Sequence, residues 1–417
     1  MKSLLSYFQS KSHSAESTLS LKDLESARAR ISNYIPPTSL TYSLPLSEFT
    51  GKEIFLKWEN KLHTGSFKER GALNFLLLLD EQKRKRGVCA ASAGNHALAL
   101  SYYAAKLSIP CKIFMPKRAP IVKVSSTRKH GAEVQLIGDT FNEAYDYARE
   151  LSKKEGLTFI PAFDHPAVIA GQGTIGLELH DQLPSFDAVV VPVGGGGLVA
   201  GLSAALKLSG RETSVLGVQS HWVTEMRNGA KTPSDAPLGP VTIADGIAVK
   251  QIGQYNAPLI AKYVDSLQTV TENEIASALL KYLELERTVV EGAGAAALAA
   301  VMAGHLPIAY KKVVVIVSGS NIDANMLSRL IDRSMAESSR VVRLTVSLPD
   351  APGALTAVST VIAKQGGNIL QVDHDRSFAV TPAYVNVSFL LEVRDSGHTK
   401  EIINALETEG LRVTSEV

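Results

Sequence analysis

Residues 189–206 read VVVPVGGGGLVAGLSAAL, and this stretch decides the fold class. The run before the glycines is apolar and rich in valine, which is typical of a strand buried on both faces of a parallel sheet. The segment after the glycines has the length and apolar spacing of a helix. A glycine turn between such a strand and helix lets main-chain N–H groups approach an anion closely. We therefore expect an α/β protein that holds a phosphate group at Gly194, Gly195, Gly196, Gly197 and Leu198.

The same alternation of short apolar runs and longer helical segments extends over most of the chain. Helix-like segments include TFNEAYDYARELSKK at 140–154, for which Asp139 or Thr140 is the expected N-cap. Continuously apolar strands indicate parallel sheets covered by helices, where ligands bind at the carboxyl ends of the strands. The strand-like runs are EIFLKWE at 53–59, GVCAAS at 87–92, CKIFM at 111–115, EVQLI at 133–137, VLGVQ at 215–219 and KVVVIV at 312–317.

The pattern changes after Ser334, which indicates a second domain. Residues 335–340, MAESSR, read as a polar linker, and 341–417 read β-α-β-β-α-β, the order of the ferredoxin-like fold. We expect a polar tail at 1–20, a catalytic domain of two α/β subdomains at 21–334, and a separate domain at 341–417.

Composition excludes several classes of protein. The 417 residues are 45% hydrophobic and 20% charged, and 43 basic residues nearly balance 41 acidic ones, so no nucleic-acid surface is expected. Cys89 and Cys111 lie in apolar runs and are read as core residues, not as a disulfide framework or a metal site. No secretory signal and no apolar run of about 20 residues is present, which favours a cytoplasmic protein without a membrane partner.

Three further motifs carry polar groups at positions where chemistry is expected. Lys68 follows a Gly-Ser turn in HTGSFKERGALNF, although an isolated lysine is most often a solvated side chain. The turn SAGNH at 92–96 opens a helix whose N–H groups suit a carboxylate, and His96 by itself is more often structural than catalytic. Ser318 in SGSN follows a buried strand, and its neutral hydroxyl suits a hydrogen bond to a ring nitrogen.

Together these groups are the parts that hold an aldehyde cofactor with a phosphate tail. SFK, SAGNH, GGGGL and SGSN occur in the order and approximate spacing of the fold-type II pyridoxal-phosphate enzymes. From about Leu21 onward the chain resembles the threonine and serine dehydratases of that group. The resemblance implies a tryptophan synthase β-like fold with two open parallel-type sheets, and pyridoxal 5′-phosphate as cofactor. It also implies an ammonia-lyase that converts L-threonine to 2-oxobutanoate and ammonia, and L-serine to pyruvate.

The resemblance also implies a role for each matching residue. Lys68 would bind the cofactor as a Schiff base and then act as the base that removes the α-proton. Phe67 would pack beside the ring, Asn95 would bond its 3-hydroxyl, and Ser318 would face the pyridine nitrogen. Residues 194–198 would bind the phosphate. The segments DGIAV at 245–249 and EGAGA at 291–295 would line the same cleft, and the substrate carboxylate would be bound by Ser92, Ala93, Gly94, Asn95 and His96.

Two other functions stay open at this stage. A serine racemase uses the same lysine but needs a second acid or base, and racemases that resemble this family carry a serine where this chain has Ala93. A non-catalytic amino-acid sensor with the same domains is the second alternative. Relatives that bind a divalent cation carry an acidic residue where this chain has Gln219, so no metal is predicted.

The C-terminal segment LPDAPGALTAVSTVIAKQGGNI at 348–369 resembles an ACT domain. Such domains commonly pair and bind amino acids, which implies a homodimer or homotetramer regulated by a branched-chain amino acid, and a role in isoleucine biosynthesis. A purely structural dimerisation module is the alternative. The candidate effector residues are Asp350, Pro352, Gly353, Asn368 and Ile369.

Overall fold

The computed structural model describes residues 19–223, 242–249, 251–375 and 383–416. The tail expected at 1–20 therefore lies outside the described residues except for its last two positions, where Ser20 caps the first helix. The chain divides into two compact units, Met1–Asp323 and Ala324–Val417. Among the described residues, no helix combines the length and apolar character that crossing a membrane requires.

The first unit contains two sheets, as the sequence predicts. The larger has the order β1-β2-β10-β7-β8-β9, and it is parallel except for β1, which runs antiparallel to β2. The smaller has the order β5-β4-β3-β6 and is parallel throughout. The strands are β1 Leu40–Ser43, β2 Glu53–Trp58, β3 Val88–Ala91, β4 Cys111–Met115, β5 Glu133–Leu136, β6 Thr158–Phe159, β7 Ala188–Pro192, β8 Ser214–Ser220, β9 Ser266–Val270 and β10 Lys312–Val317.

Helices cover these sheets, and several begin at a side-chain cap. Thr140 caps the helix Phe141–Glu155 through a capping box with Glu143, which decides between the two caps that the sequence allowed. The helices of the first unit are α1 Leu21–Ile31, α2 Leu44–Thr50, α3 Lys68–Leu77, α4 Glu81–Arg86, α5 Asn95–Lys106, α6 Ile121–Lys129, α7 Phe141–Glu155, α8 Pro166–Gln182, α9 Gly197–Leu208, α10 Asn256–Tyr263, α11 Glu272–Glu286 and α12 Gly292–Met302.

Each sheet has its own apolar core. Central strands such as β7 are buried at every position, as expected for strands covered on both faces. Cys89 and Cys111 are buried free thiols, and burial raises the pKa of each to about 12, so both are protonated core residues.

The second unit has the predicted β-α-β-β-α-β order after an additional helix. Helix α13 spans Ala324–Glu337, so the first three residues of the linker expected at 335–340 are helical and belong to this unit. The sheet is antiparallel with the order β12-β13-β11-β14, and alternate residues of β11 face its core. Its elements are β11 Val341–Pro349, α14 Ala354–Lys364, β12 Asn368–Asp375, β13 Tyr384–Glu392, α15 Ser396–Thr408 and β14 Arg412–Glu416.

Candidate active site

The predicted motifs meet at the carboxyl ends of neighbouring strands in the six-stranded sheet. Strands β7 and β10 are adjacent, so the glycine turn after β7 and Ser318 after β10 lie side by side. The turn that carries Lys68 joins the same edge, because the Phe67 N–H donates to the Ser318 carbonyl over 3.1 Å. Parallel topology thus brings three distant segments to one cleft.

The amine of Lys68 lies inside this cleft and is partly buried. Its Nζ donates to the carbonyl of Ala162 at 2.9 Å and lies 5.3 Å from the ring centroid of Phe67. Burial lowers the pKa of Lys68 to about 8, and the negative field of Glu291 partly opposes that shift. A substantial fraction of this amine is therefore neutral near physiological pH and able to act as a nucleophile or a base.

Helix α3 is anchored by the two residues that follow Lys68. Glu69 accepts a hydrogen bond from the Tyr103 hydroxyl at 2.7 Å. The guanidinium of Arg70 forms buried ion pairs with Glu59, at 2.7 Å, and with Glu178. Because these side chains are buried and paired, the first turn of α3 has one well-defined position.

The glycine turn has the shape of an anion cradle. Gly196 adopts φ +96°, a left-handed conformation that favours glycine, and it precedes α9 without a side-chain cap. A Cβ atom at Gly195 would overlap the ring of Phe163, and one at Gly194 would lie 3.0 Å from the Cα of Ile247. The N–H groups at the start of α9 have no intrahelical partner, so they are available to an anion.

The asparagine turn joins the cleft through Asn95, the first residue of α5. Asn95 Nδ2 donates to Glu291 Oε1 at 2.7 Å, and Asn321 Nδ2 donates to Asn95 Oδ1 at 2.8 Å. Ser92 also supports this turn, because its Oγ accepts from the Gly94 N–H at 3.3 Å.

The ring of His96 has a structural position, in contrast to the rest of its turn. It is buried, and its Nε2 is hydrogen-bonded to the Ile160 carbonyl at 3.0 Å. Burial and the nearby charge of Lys68 lower the pKa of His96 to about 3, so the ring is neutral. If His96 binds the substrate carboxylate, as predicted, it must do so through its main-chain N–H and not through its ring.

Sequence reasoning missed three contributors to the cleft. Phe163 packs against the glycine turn, and its ring centroid lies 6.0 Å from Lys68 Nζ. Asn256 holds the turn by donating to the Gly195 carbonyl at 2.8 Å. Asn321, the last residue of SGSN, bonds both Asn95 and Thr64. Only Asn321 lies in a motif that the sequence singled out.

The candidate effector residues form two separate groups within one chain. Asp350 follows the end of β11 that pairs with Tyr384, whereas Asn368 pairs with Glu392 at the opposite end of β13. Gly353 caps α14 with φ +89°, and Ile369 lies at a bulge in β12. The structure does not bring these two groups together within a single domain.

Comparison with known proteins decides the family. A model described as "Pyridoxal-phosphate dependent enzyme" matches residues 31–319, and an ACT domain model matches residues 342–410. The chain belongs to the pyridoxal-phosphate-dependent enzymes. Its cofactor is pyridoxal phosphate, and the cleft fits that group, since a reactive lysine amine and a side-chain-free phosphate cradle share one wall at Phe163.

Three similar proteins illustrate how far the likeness extends. An L-threonine ammonia-lyase of Thermotoga maritima is 44% identical over 95% of this chain and 99% of its own length. The threonine deaminase isoform 2 of Solanum lycopersicum is 34% identical, with a TM-score of 0.69 over 75% of this chain and 87% of its own. The serine racemase of Dictyostelium discoideum is 33% identical, with a TM-score of 0.66 over 73% of this chain and 99% of its own. The predicted fold class is thereby confirmed.

Proposed function

We propose that this chain is an L-threonine ammonia-lyase that releases 2-oxobutanoate and ammonia, with L-serine as a second substrate giving pyruvate. The observation that carries the proposal is the partly buried amine of Lys68, whose pKa is lowered to about 8, beside a phosphate cradle. The 44% identity to an L-threonine ammonia-lyase extends through both domains, which supports threonine as the substrate.

Different residues of the chain bind the cofactor and transfer the proton. Main-chain N–H groups of residues 194–198 would bind the cofactor phosphate, Phe67 would contact the ring, and Ser318 would face the ring nitrogen. When bound, pyridoxal phosphate supplies an electron sink next to the substrate α-carbon. Lys68 would hold the cofactor and move the α-proton, because its amine is neutral for part of the time near pH 7.

The substrate carboxylate is received by main-chain N–H groups and short side chains of residues 92–96. The neutral ring of His96 fixes this turn through Ile160, so the turn keeps one shape without adding a charge. Asn95 would face the 3-hydroxyl of the cofactor and would therefore connect the substrate turn to the ring.

Ala93 favours elimination over racemisation. Racemisation needs a proton donor on the face opposite Lys68, and the methyl group of Ala93 cannot supply one. We expect pyruvate from L-serine to exceed D-serine by at least about tenfold, a margin of roughly 1.4 kcal/mol in barrier height. Comparable amounts of the two products would instead favour a serine racemase. This alternative is supported by the similarity to the serine racemase of Dictyostelium discoideum.

The ACT domain supports a regulated, biosynthetic enzyme. We propose that a branched-chain amino acid binds it, that the enzyme serves isoleucine biosynthesis, and that it acts as a cytoplasmic homodimer or homotetramer. If saturating isoleucine or valine changes neither activity nor melting temperature, the effector proposal is wrong.

The main test is 2-oxo acid release from L-threonine by the purified protein with pyridoxal phosphate. Lys68→Ala should abolish product. Lys85→Ala is the control, because this lysine of α4 is exposed and forms an ion pair with Glu81 at 2.7 Å. Activity in the Lys68 variant, or none in the parent with either amino acid, would contradict the proposal, and the second result would favour the sensor.

A further inference from the structure

Glu291 is a buried carboxylate in the cleft to which the proposed chemistry gives no task. It is 3% exposed and precedes the first residue of α12, yet its side chain does not cap that helix. Oε1 accepts from Asn95 Nδ2 at 2.7 Å, and Oε2 accepts from the main-chain N–H of Asn321 at 3.1 Å. Both oxygens therefore act as acceptors.

These contacts belong to a closed ring of hydrogen bonds with a fixed direction. The carbonyl of Thr64 can only accept, so Asn321 must direct Nδ2 toward it, at 2.7 Å. The second hydrogen of the same Nδ2 is donated to Asn95 Oδ1 at 2.8 Å. Asn95 must then direct its own Nδ2 to Glu291, and no described residue accepts from the second N–H of that amide.

Backbone without side chains encloses the bond between Asn95 and Glu291. A Cβ atom at Gly246 would lie 3.2 Å from Glu291 Oε1, and one at Gly319 would lie 3.3 Å from Asn95 Nδ2. The carboxylate itself is buried, which strengthens the hydrogen bonds that it accepts. Among the described residues, the charged groups that act on Glu291 are Asp245, the ammonium of Lys123 paired with Asp245, and Lys68.

We propose that Glu291 is a positioning residue that fixes the amide of Asn95 with an N–H directed toward the cofactor. The inference rests on the proposed function, in which Asn95 faces the cofactor 3-hydroxyl. An amide oxygen turned to that position would instead repel the deprotonated 3-oxygen. Glu291 acts through Asn95 and need not touch the cofactor.

The charge state of Glu291 controls this arrangement. Burial and the nearby Asp245 raise its pKa to about 7, and the donors from Asn95 and Asn321 only partly offset the shift. Above that pH both oxygens accept, and the ring is complete. Below it one oxygen carries a proton and becomes a donor, so Glu291 no longer supports the direction that Asn321 gives to the Asn95 amide.

The test compares cofactor binding by Glu291→Gln and the parent, using apo protein and pyridoxal phosphate. A glutamine has one acceptor for two donors, so the ring cannot close. We expect the dissociation constant for pyridoxal phosphate to rise about 10- to 100-fold. We also expect the visible absorbance of the bound cofactor to titrate near pH 7 in the parent and not in the variant.

Glu272→Gln is the matched control, because Glu272 also accepts two hydrogen bonds, from the Ser220 hydroxyl at 2.8 Å and the Ile243 N–H at 2.7 Å. It should match the parent in both readouts. A Glu291 variant within twofold of the parent, with an unchanged titration, would overturn the inference.

A second variant keeps the test decisive if the first does not fold. Asn321→Ala removes the donor to Asn95 Oδ1, so we expect the same weakening of cofactor binding in smaller measure. Binding equal to that of the parent would overturn the inference. If the parent itself binds no pyridoxal phosphate, the proposed function fails and the inference with it, a result that the variants alone cannot produce.

Discussion

Glu178 and Glu291 are both buried carboxylates of the first unit, but they have opposite electrostatic surroundings. Glu178 contacts Arg70 and Lys57, the latter at 2.6 Å, and these cations hold its pKa below the ordinary value despite burial. Glu291 accepts hydrogen bonds from an amide and a main-chain N–H, and burial raises its pKa to about 7. Paired carboxylates hold the fold together, whereas the carboxylate in the cleft stays able to titrate.

The two groups respond to pH in opposite directions. A carboxylate with a lowered pKa stabilises the folded state above its unfolded pKa of about 4.5, and this contribution is lost as the pH falls through the folded pKa. A carboxylate with a raised pKa does the reverse, because the folded state must hold an unfavourable charge once the pH rises through that pKa. Glu178 and Glu291 should therefore have separable pH signatures in unfolding experiments.

The largest expected effect comes from removing the cation shared by the paired carboxylates. Arg70→Met would leave the charges of Glu59 and Glu178 buried with Lys57 as their remaining cation. We expect the free energy of unfolding to fall by about 3–5 kcal/mol, measured by denaturant titration of the apo protein. A loss below about 1 kcal/mol would mean that the cluster adds little to stability and that the comparison with Glu291 fails.

A smaller effect is expected at the unpaired carboxylate. Relative to the parent, apo Glu291→Gln should gain stability as the pH rises from about 4.5 to 7, by at most about 1.4 kcal/mol per pH unit, and the difference should level off above pH 7. Unfolding curves at several pH values measure this. A difference that is constant with pH would show that Glu291 does not titrate in the folded protein.

The lowered pKa of Lys68 predicts a rate effect. The neutral fraction of an amine with a pKa of about 8 rises about tenfold between pH 7 and pH 9. The rate at which pyridoxal phosphate attaches to the apo protein should rise by the same factor and then level off. Stopped-flow absorbance would measure this rate. A rate that continues to rise with the same slope above pH 9 would show that Lys68 has an ordinary lysine pKa.

The smallest effect should come from an exposed ion pair. Arg28 contacts Asp181 at 2.7 Å, but the two side chains are 39% and 62% exposed to solvent. Arg28→Ala should lower the free energy of unfolding by less than about 1 kcal/mol. This variant is the control for Arg70→Met. A similar loss of unfolding free energy in both variants would mean that burial does not make the ion pairs of Arg70 more important than the exposed pair of Arg28.

The sequence predicts what is local and misses what depends on distant contacts. Lys68, the glycine turn and Ser318 were found because each belongs to a contiguous motif whose meaning depends on its neighbours. The ring through Asn95, Glu291 and Asn321 joins residues about 200 positions apart, and no spacing rule indicates such a bond. The residue-by-residue roles remain predictions.

Secondary structure shows the same division. The long apolar strands were predicted, but β1, β6 and β9 were not, because they are short or half-exposed and are held by pairing with a neighbour. Helix α13 extends into the polar linker expected at 335–340, since polar composition alone does not end a helix.

The tripeptide Lys68, Glu69 and Arg70 places the reactive amine beside two buried anchors in consecutive positions. A substitution of Glu69 or Arg70 would alter both the stability of the fold and the position of the reactive amine. Selection for stability therefore also constrains the catalytic lysine. Changes of substrate range should therefore accumulate elsewhere, in the turn at 92–94 or near Ile247, where the walls of the cleft can vary without disturbing α3. We therefore expect a library of variants at those walls to contain more folded, active proteins than a library of variants in α3.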